Sequence, residues 1–160
     1  MAPAKTRVPA VEGWFTLDEA APHLLGTRCK ACGTYFFPKE TSFCRNPECA
    51  TAKPSWTSGP DFEEVPLSTR GKLWSFTDNR YQPPLPYRAG DPFVPYAVAA
   101  VELEREKMVV LGQVAGGVGC DQLHAGQQME LVLGTLYEDD ANEYVMWKWR
   151  PLQAADGRAQ

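Results

Sequence analysis

The sequence predicts a mainly β protein in which a small cysteine-containing ribbon precedes a five-stranded antiparallel barrel or sandwich. Two observations support this prediction. Four of the five cysteines fall in two close pairs between Cys29 and Cys49, a segment too short to bury a hydrophobic core of its own. From Gly71 onward, segments rich in aromatic and β-branched residues alternate with loops marked by glycine, proline or acidic residues.

Residues 1–27 are predicted to form an arm followed by a short helical element. The arm shows little apolar periodicity, whereas residues 14–25 are more apolar. The pattern Thr16-x-x-Glu19 has the form of a helix capping box. Because Pro22 lies in this segment, we expect a short, broken helix that ends near Gly26.

Residues 28–58 are predicted to form a metal-binding ribbon. Two cysteine pairs, spaced by two and by four intervening residues, can bring four thiolates around one tetrahedral ion; the cysteines are Cys29, Cys32, Cys44 and Cys49. Gly33 can take the positive φ that a tight turn after the first pair requires. The second pair encloses Pro47, so a wider second knuckle is expected.

Zinc is favoured over three other uses of these cysteines. Disulfide bonds would need an oxidising compartment, and the start of the chain lacks the apolar run of a secretory signal. A redox-active Cys29/Cys32 pair would need a thioredoxin-like βαβ pattern around it. The same thiolates could bind iron, but nothing else in the sequence suggests electron transfer. We therefore expect a structural zinc ion in a cytoplasmic protein.

Residues 66–151 are predicted to form the barrel. The five expected strands cover residues 72–81, 96–104, 107–115, 127–137 and 142–150. Five is also the strand number of the OB-fold, a partly open Greek-key barrel. Residues 81–95 contain five prolines and predict a long loop, which in a compact domain is usually functional or disordered. A disordered tail is expected over residues 152–160.

Charge and composition exclude several functions. The net charge of −4 argues against a nucleic-acid partner, because such proteins usually present a basic face. No segment approaches the roughly 20 apolar residues that span a bilayer. Cys120 stands alone, and neither His23 nor His124 is ordered beside it by any motif. No catalytic set is predicted, although an enzyme that uses Cys120 stays open as an alternative.

Several motifs together resemble a known family. In chain order they are Gly26-Thr27-Arg28-Cys29-x-x-Cys32-Gly33, Tyr35-Phe36-Phe37-Pro38, Gly71-Lys72-Leu73-Trp74-Ser75-Phe76-Thr77 and Lys148-Trp149-Arg150-Pro151. Over roughly residues 14–151 the chain resembles the acyl-CoA-associated zinc-ribbon/OB-fold proteins. This resemblance implies a rubredoxin-like zinc ribbon followed by a five-stranded OB-fold barrel.

The resemblance also implies a function. Members of this family are small partner subunits of thiolase-type enzymes, so we expect a hetero-oligomer, for example a heterotetramer, with a thiolase-like catalytic subunit. The chain would be an essential non-catalytic subunit, with a coenzyme A thioester as shared ligand. The nearest likeness is to subunits that serve benzoylsuccinyl-CoA thiolysis. Partners of a steroid side-chain aldolase or an acetoacetyl-CoA thiolase stay open, as does single-stranded nucleic-acid binding by base stacking.

Five residues are predicted to contact the partner or coenzyme A. Aromatic side chains in a hairpin and a long loop cannot all be buried in so small a barrel, and aromatics with arginine are typical of interfaces. Arginines are also suited to the phosphates of coenzyme A. The residues are Phe36, Phe37, Arg80, Tyr81 and Arg88.

Overall fold

A computed structural model describes residues 5–49, 61–88 and 90–152. The predicted tail at 153–160 lies outside these ranges, as do residues 50–58 of the predicted ribbon and residues 1–4 of the predicted arm. The described residues form nine strands and one 3-10 helix (Cys120–Gln122). The strands are β1 (Thr6–Pro9), β2 (Leu25–Cys29), β3 (Tyr35–Phe36), β4 (Phe62–Pro66), β5 (Arg70–Asn79), β6 (Tyr96–Leu103), β7 (Val109–Val114), β8 (Gln128–Glu138) and β9 (Asn142–Pro151).

Five strands close into a barrel in the order β5-β6-β7-β9-β8, with β8 returning to β5. All the pairings around the barrel are antiparallel except β7–β9, which is parallel. Each barrel strand overlaps one of the five that the sequence predicts. The mainly β fold with a five-stranded barrel is therefore confirmed. Strand β1, within the predicted arm, extends the sheet by pairing in parallel with β9.

The barrel core is built from the inward-facing half of each strand. Because successive side chains of a strand point to opposite faces, alternate residues are buried. The innermost side chains are almost completely inaccessible to solvent and include Leu73, Val101, Met129, Val145 and Trp149. Gly112 makes this packing possible, since a Cβ there would lie 2.8 Å from Cδ1 of Trp149. Any larger residue would displace the indole from the core.

The predicted N-terminal helix is wrong. The described residues contain no α-helix, and Phe15 instead forms an antiparallel bridge with Leu24. The Thr16 hydroxyl accepts a hydrogen bond from the amide of His23 at 2.9 Å, across this bridge, instead of capping a helix. Pro22 has no N–H to donate, which also disfavours a helix. Two short extended segments therefore deliver Phe15 and Leu24 to the core.

A second sheet carries the cysteine segment. Strand β2 lies between β3 and β4, and both pairings are antiparallel. Cys29 is the last residue of β2, so the sheet leads directly into the cysteine cluster. Among the residues that the structure describes, half-buried Phe36 and Phe62 pack against the buried cysteines. This small cluster needs further support, either from a metal or from the barrel.

Trp147 joins the two sheets. Its ring lies 5.7 Å from Phe15, 5.6 Å from Phe37 and 6.1 Å from Trp14, measured between centroids. The contacts with Phe15 and Phe37 are edge-to-face, which is a favourable arrangement for aromatic rings. The indole N–H donates to the carbonyl of Leu111 at 3.0 Å, so its polar edge is satisfied.

A polar contact joins the sheets at a second point. The Glu106 side chain is fully buried, and its Oε1 accepts from the Ser68 amide at 3.1 Å and from Arg105 at 2.8 Å. Arg105 also donates to the carbonyl of Pro66, at the end of β4, at 2.8 Å. The β6–β7 turn is thereby fastened to the segment that leads from the ribbon sheet into the barrel.

We predict that Trp147→Ala lowers the free energy of unfolding by about 3–5 kcal/mol, since it leaves a large cavity where the sheets meet. Urea denaturation of the zinc-loaded protein measures this. Trp74→Ala is the matched control: Trp74 is 67% exposed whereas Trp147 is 6% exposed, so the control should change stability by less than about 1 kcal/mol. Equal changes in the free energy of unfolding for the two substitutions would contradict the role of Trp147 in joining the two sheets.

Candidate functional site

The four paired cysteines come together as one cluster. The sulfur atoms of Cys29, Cys32, Cys44 and Cys49 all lie within 4.8 Å of one another. Two of the Sγ–Sγ distances are 3.9 Å and 3.5 Å. Four thiolates at about 2.3 Å from a tetrahedral zinc ion are about 3.8 Å apart, whereas a disulfide bond is about 2.05 Å long. The donor set and its spacing fit zinc and exclude disulfides.

The first knuckle is a tight turn at the end of β2. The amide of Gly33 donates to the carbonyl of Cys29 at 2.7 Å. Gly33 has φ of +76°, a conformation that other residues rarely adopt. The amide of Cys29 donates to the carbonyl of Thr34, which returns the chain toward β3. The turn places the buried Cys29 and the exposed Cys32 on the same side.

The second knuckle accommodates its wider spacing with a four-residue turn. The amide of Cys49 donates to the carbonyl of Asn46 at 3.0 Å. The side-chain oxygen of Asn46 accepts from the amide of Glu48 at 3.1 Å, an arrangement in which asparagine stabilises turns. Pro47 occupies the second position of this turn, where proline is favoured. The residues that made this pair look irregular in the sequence therefore form the turn.

Thr34 links the two knuckles. Its hydroxyl lies 3.2 Å from Sγ of Cys32 and accepts from the side-chain amide of Asn46 at 3.3 Å. The hydrogen bond with Thr34 lowers the pKa of Cys32 to about 6, whereas burial raises the pKa of Cys44 to about 12. Metal binding at Cys44 therefore requires release of its proton, which makes the affinity depend on pH.

The basic residues beside the cysteines are paired with carboxylates. The pairs are Arg28 with Glu63 at 3.2 Å, Lys30 with Asp61 at 2.9 Å and Arg45 with Glu40 at 2.6 Å. Their charges are largely balanced within the ribbon. This part of the surface is consequently unsuited to a polyanion such as a nucleic acid, which needs unpaired basic groups.

Two of the predicted contact residues pack inside the molecule. Phe36 lies edge-to-face against Phe62, with ring centroids 5.8 Å apart, beside the cysteine cluster. Phe37 packs against Trp14 and Trp147. Both side chains are half-buried, so each contributes to holding the ribbon together. Whether their remaining exposed edges meet a partner stays a prediction.

The other three predicted contact residues lie on the surface of the long loop. Tyr81 is 69% exposed, and its carbonyl accepts from the side chain of Asn79 at 3.0 Å. Arg80 pairs with Asp78 at 2.6 Å. Arg88 stacks over the ring of Tyr137 at 5.6 Å, so the loop reaches the far end of β8.

An apolar face on the outside of the barrel was only partly anticipated. Trp74 on β5 and Leu111 on β7 are 67% and 62% exposed and point outward from the barrel. Ser75, Ala100 and Leu111 occupy one row across β5, β6 and β7. The sequence signal was present, because β7 begins with three consecutive apolar residues, Val109, Val110 and Leu111. A strand segment that is apolar on both faces has one apolar face to expose.

The structure also forms a cleft of about 340 Å³ between the long loop and the outer wall of the barrel. Tyr87, Tyr96, Gln113 and Lys148 supply its polar lining. Sequence reasoning missed this site because it depends on how the loop folds back onto strands that are distant in the chain. A lysine on the outer face of a strand gives no signal by itself.

Cys120 is not arranged as a nucleophile. In the ranges that the structure describes, no hydrogen bond joins it to either histidine, and the ring of His23 contacts the carbonyl of Leu67 at 3.2 Å instead. Burial raises the pKa of the Cys120 thiol, with the carboxylates of Asp78 and Asp121 acting in the same direction. The thiol is therefore protonated at neutral pH and unreactive.

Comparisons with known proteins agree with this architecture. The family model of the ChsH2 rubredoxin-like zinc ribbon domain matches residues 18–54, and that of the ChsH2 C-terminal OB-fold domain matches residues 64–134. A solved structure described as an Ltp2-ChsH2(DUF35) aldolase shares the fold, with a TM-score of 0.58, 24% identity, and coverage of 90% of this chain and 98% of that one. None of the described helices is long and apolar enough to cross a membrane.

Curated relatives match over most of their length. The benzoylsuccinyl-CoA thiolase subunit BbsA of Thauera aromatica is 36% identical over 136 residues, which is 84% of this chain and 81% of that protein. BbsA of Geobacter metallireducens is 34% identical, over 78% and 71% of the two chains. A DUF35 domain-containing scaffold protein of Methanocaldococcus jannaschii is 30% identical, over 81% and 82%. This chain therefore belongs to the ChsH2-type family, whose members combine a rubredoxin-like zinc ribbon with an OB-fold domain.

Proposed function

We propose that this chain is a non-catalytic, zinc-binding subunit that associates with a thiolase-type catalytic subunit and supports thiolytic cleavage of an acyl-CoA. The observation that carries the proposal is the 36% identity to a benzoylsuccinyl-CoA thiolase subunit across most of both chains. Benzoylsuccinyl-CoA is accordingly the proposed substrate of the complex. The complex is a hetero-oligomer, with a heterotetramer as the simplest symmetric form.

The chemistry of the described residues supports a non-catalytic role. A thiolase needs a nucleophilic cysteine, a base and donors for an oxyanion. Cys120 is protonated and lacks a histidine partner among the described residues. A zinc ion held by four thiolates has no open coordination position for substrate. The reaction therefore belongs to the partner, and this chain supports it through binding.

A scaffolding role is the second candidate. One relative is named a scaffold protein, and it covers most of this chain. As a scaffold, the chain would hold an acyl-CoA enzyme, such as an acetoacetyl-CoA thiolase, in a larger assembly. A steroid side-chain aldolase is a further possible partner. Binding of single-stranded nucleic acid is disfavoured by the net charge of −4 and by the paired cations of the ribbon.

Cys29, Cys32, Cys44 and Cys49 are the proposed ligands of a structural zinc ion. The support is the tetrahedral spacing of their sulfurs and the match to a zinc ribbon family. The zinc supplies folding free energy to residues 28–58. The OB-fold domain is proposed to comprise residues 66–151. Cysteines that serve as metal ligands instead of forming disulfide bonds are also compatible with a cytoplasmic location.

The proposed contact surface is the outer side of the long loop. Arg80, Tyr81 and Arg88 are exposed there. Arginine side chains are suited to bind the phosphates of coenzyme A or the acidic side chains of a partner. The exposed Trp74 and Leu111 supply apolar area of the kind found at the centre of interfaces. Phe36 and Phe37 contribute by stiffening the ribbon hairpin through their aromatic contacts.

The zinc proposal predicts that Cys29→Ser and Cys32→Ser each give insoluble or zinc-free protein, because a missing thiolate removes folding free energy from the ribbon. Metal analysis of the purified protein measures this. Cys120→Ser, which changes a cysteine outside the cluster, should keep one zinc ion per chain. A folded Cys29→Ser protein with a full complement of zinc would disprove the ligand assignment.

The functional proposal predicts that thiolytic cleavage requires two chains. The full chain, co-expressed with a thiolase-type subunit from the same genome, should elute with it as one complex in size-exclusion chromatography. The complex should cleave benzoylsuccinyl-CoA with coenzyme A, and this chain alone should not. Full activity of the catalytic subunit by itself, or activity of this chain by itself, would refute the proposal.

The proposed contact surface predicts that Arg80→Ala and Arg88→Ala each weaken assembly or coenzyme A binding roughly tenfold, which corresponds to about 1.4 kcal/mol. Calorimetry of the complex and of coenzyme A binding measures both. Arg150→Ala is the control, because this exposed arginine is paired with Glu130 on the neighbouring strand. If both loop variants assemble and bind coenzyme A with unchanged affinity, the contact surface does not include the loop.

A further inference from the structure

The cleft beneath the long loop contains a lysine in an unusual position. Lys148 on β9 and Gln113 on β7 are direct neighbours across the parallel pairing of these strands. The lysine stem lies over Gly134 of β8, where a Cβ would be 2.9 Å from Cδ of Lys148. Because Gly134 has no side chain, the stem of Lys148 can pass this position along the barrel wall and reach the cleft.

In the part of the chain that the structure describes, Lys148 forms no ion pair with a carboxylate. Lys5, Lys30 and Lys39 each pair with a carboxylate. Lys148 is half-buried, and burial alone lowers its pKa, without an opposing contribution from an acidic group. Of the described residues that line the cleft, none is acidic, and Asp91 of the same loop forms no ion pair with Lys148.

The remaining polar groups of the cleft are neutral. The side-chain amide of Gln113 donates to the hydroxyl of Tyr87 at 2.8 Å, and the hydroxyl of Tyr96 is hydrogen-bonded to the same two side chains. Burial raises the pKa of Tyr96 to about 12, so its phenol stays protonated at neutral pH. Two phenols and one ammonium group thus face a cleft that is otherwise lined mainly by apolar side chains and glycine, including Val94 and Leu136.

We propose that this cleft binds a small organic carboxylate, with the acid group on Lys148 and the phenols, and the apolar body against the loop. A desolvated cation without a partner is costly, and an anionic ligand removes that cost. The volume of about 340 Å³ lies at the lower end for small-molecule sites and suits an acid with one ring. The site is independent of the proposed catalytic partner.

Benzoate is the probe, and the zinc-loaded full chain is the protein. Titration followed by NMR of ¹³C-labelled lysine and of the Gln113 side-chain amide gives the dissociation constant and the pKa of Lys148. We expect benzoate to shift both signals and to raise the Lys148 pKa, because the bound anion favours the charged lysine. Benzamide, which is isosteric but neutral, should bind at least tenfold more weakly.

Two variants localise the binding. Lys148→Met keeps the apolar stem over Gly134 and should weaken benzoate at least tenfold, while its melting temperature equals or exceeds that of the parent protein. Lys72→Met removes an exposed lysine of the same barrel and should leave benzoate binding unchanged. Inorganic phosphate, tested in parallel, distinguishes a carboxylate site from a general anion site, and equal affinity for phosphate would overturn the carboxylate assignment.

The proposal fails if benzoate leaves the Lys148 pKa of the parent protein unchanged, or if Lys148→Met binds benzoate as tightly as the parent does. The pKa measurement needs no variant, so the test stands even where a substitution perturbs folding. Loss of complex formation with a thiolase-type subunit would leave this result unaffected. The outcome is therefore separable from that of the proposed function.

Discussion

The packing of Trp147 against Trp14, Phe15 and Phe37 is the contact on which the arrangement of the protein depends. Aromatic pairs in edge-to-face geometry contribute about 0.5–1.5 kcal/mol each beyond the area that they bury. Here one indole makes two such contacts, with Phe15 and Phe37, and also stacks against Trp14. The ribbon therefore rests on the barrel wall and shares its hydrophobic core.

That shared core explains how a ribbon with so little apolar content keeps a defined position. Its own buried cluster consists of cysteines with two half-buried phenylalanines. Zinc binding would order the knuckles, but it cannot orient the ribbon sheet relative to β9. The orientation comes from Phe37 on one side and from the Arg105–Glu106 contacts with the β4–β5 segment on the other. The metal and the barrel thus stabilise different parts of the same segment.

The sequence predicted the barrel well because its strands carry their own signals. Alternation of apolar and polar residues is a local property, and proline-rich or acidic breaks separate the strands clearly. The cysteine spacing was equally informative, since tetrahedral coordination constrains four side chains at once. These features need no knowledge of distant contacts.

The wrong helix prediction and the missed features share a cause. Each depends on a contact with a residue that is distant in the chain or lies across a turn. Thr16 and Glu19 satisfy a helix-capping pattern, yet the hydroxyl of Thr16 bonds His23 in an extended pairing. The packing of Phe37 on Trp147 was not predicted, because the two residues lie more than a hundred positions apart in the chain. The cleft at Lys148 needs a loop, two strands and the small Gly134 together.

The distribution of charge shows where this protein has kept groups available for binding. In the ribbon, the cations near the cysteines are balanced by carboxylates, and the buried Glu106 carboxylate is paired with the exposed Arg105. Such pairing is what folding alone favours, because an unpaired buried charge is destabilising. Lys148 departs from that pattern on the outer wall of the barrel, as exposed Trp74 and Leu111 depart from the usual polar surface. A half-buried lysine without a carboxylate partner and two exposed apolar side chains indicate that the outer face of the barrel is adapted to bind another molecule.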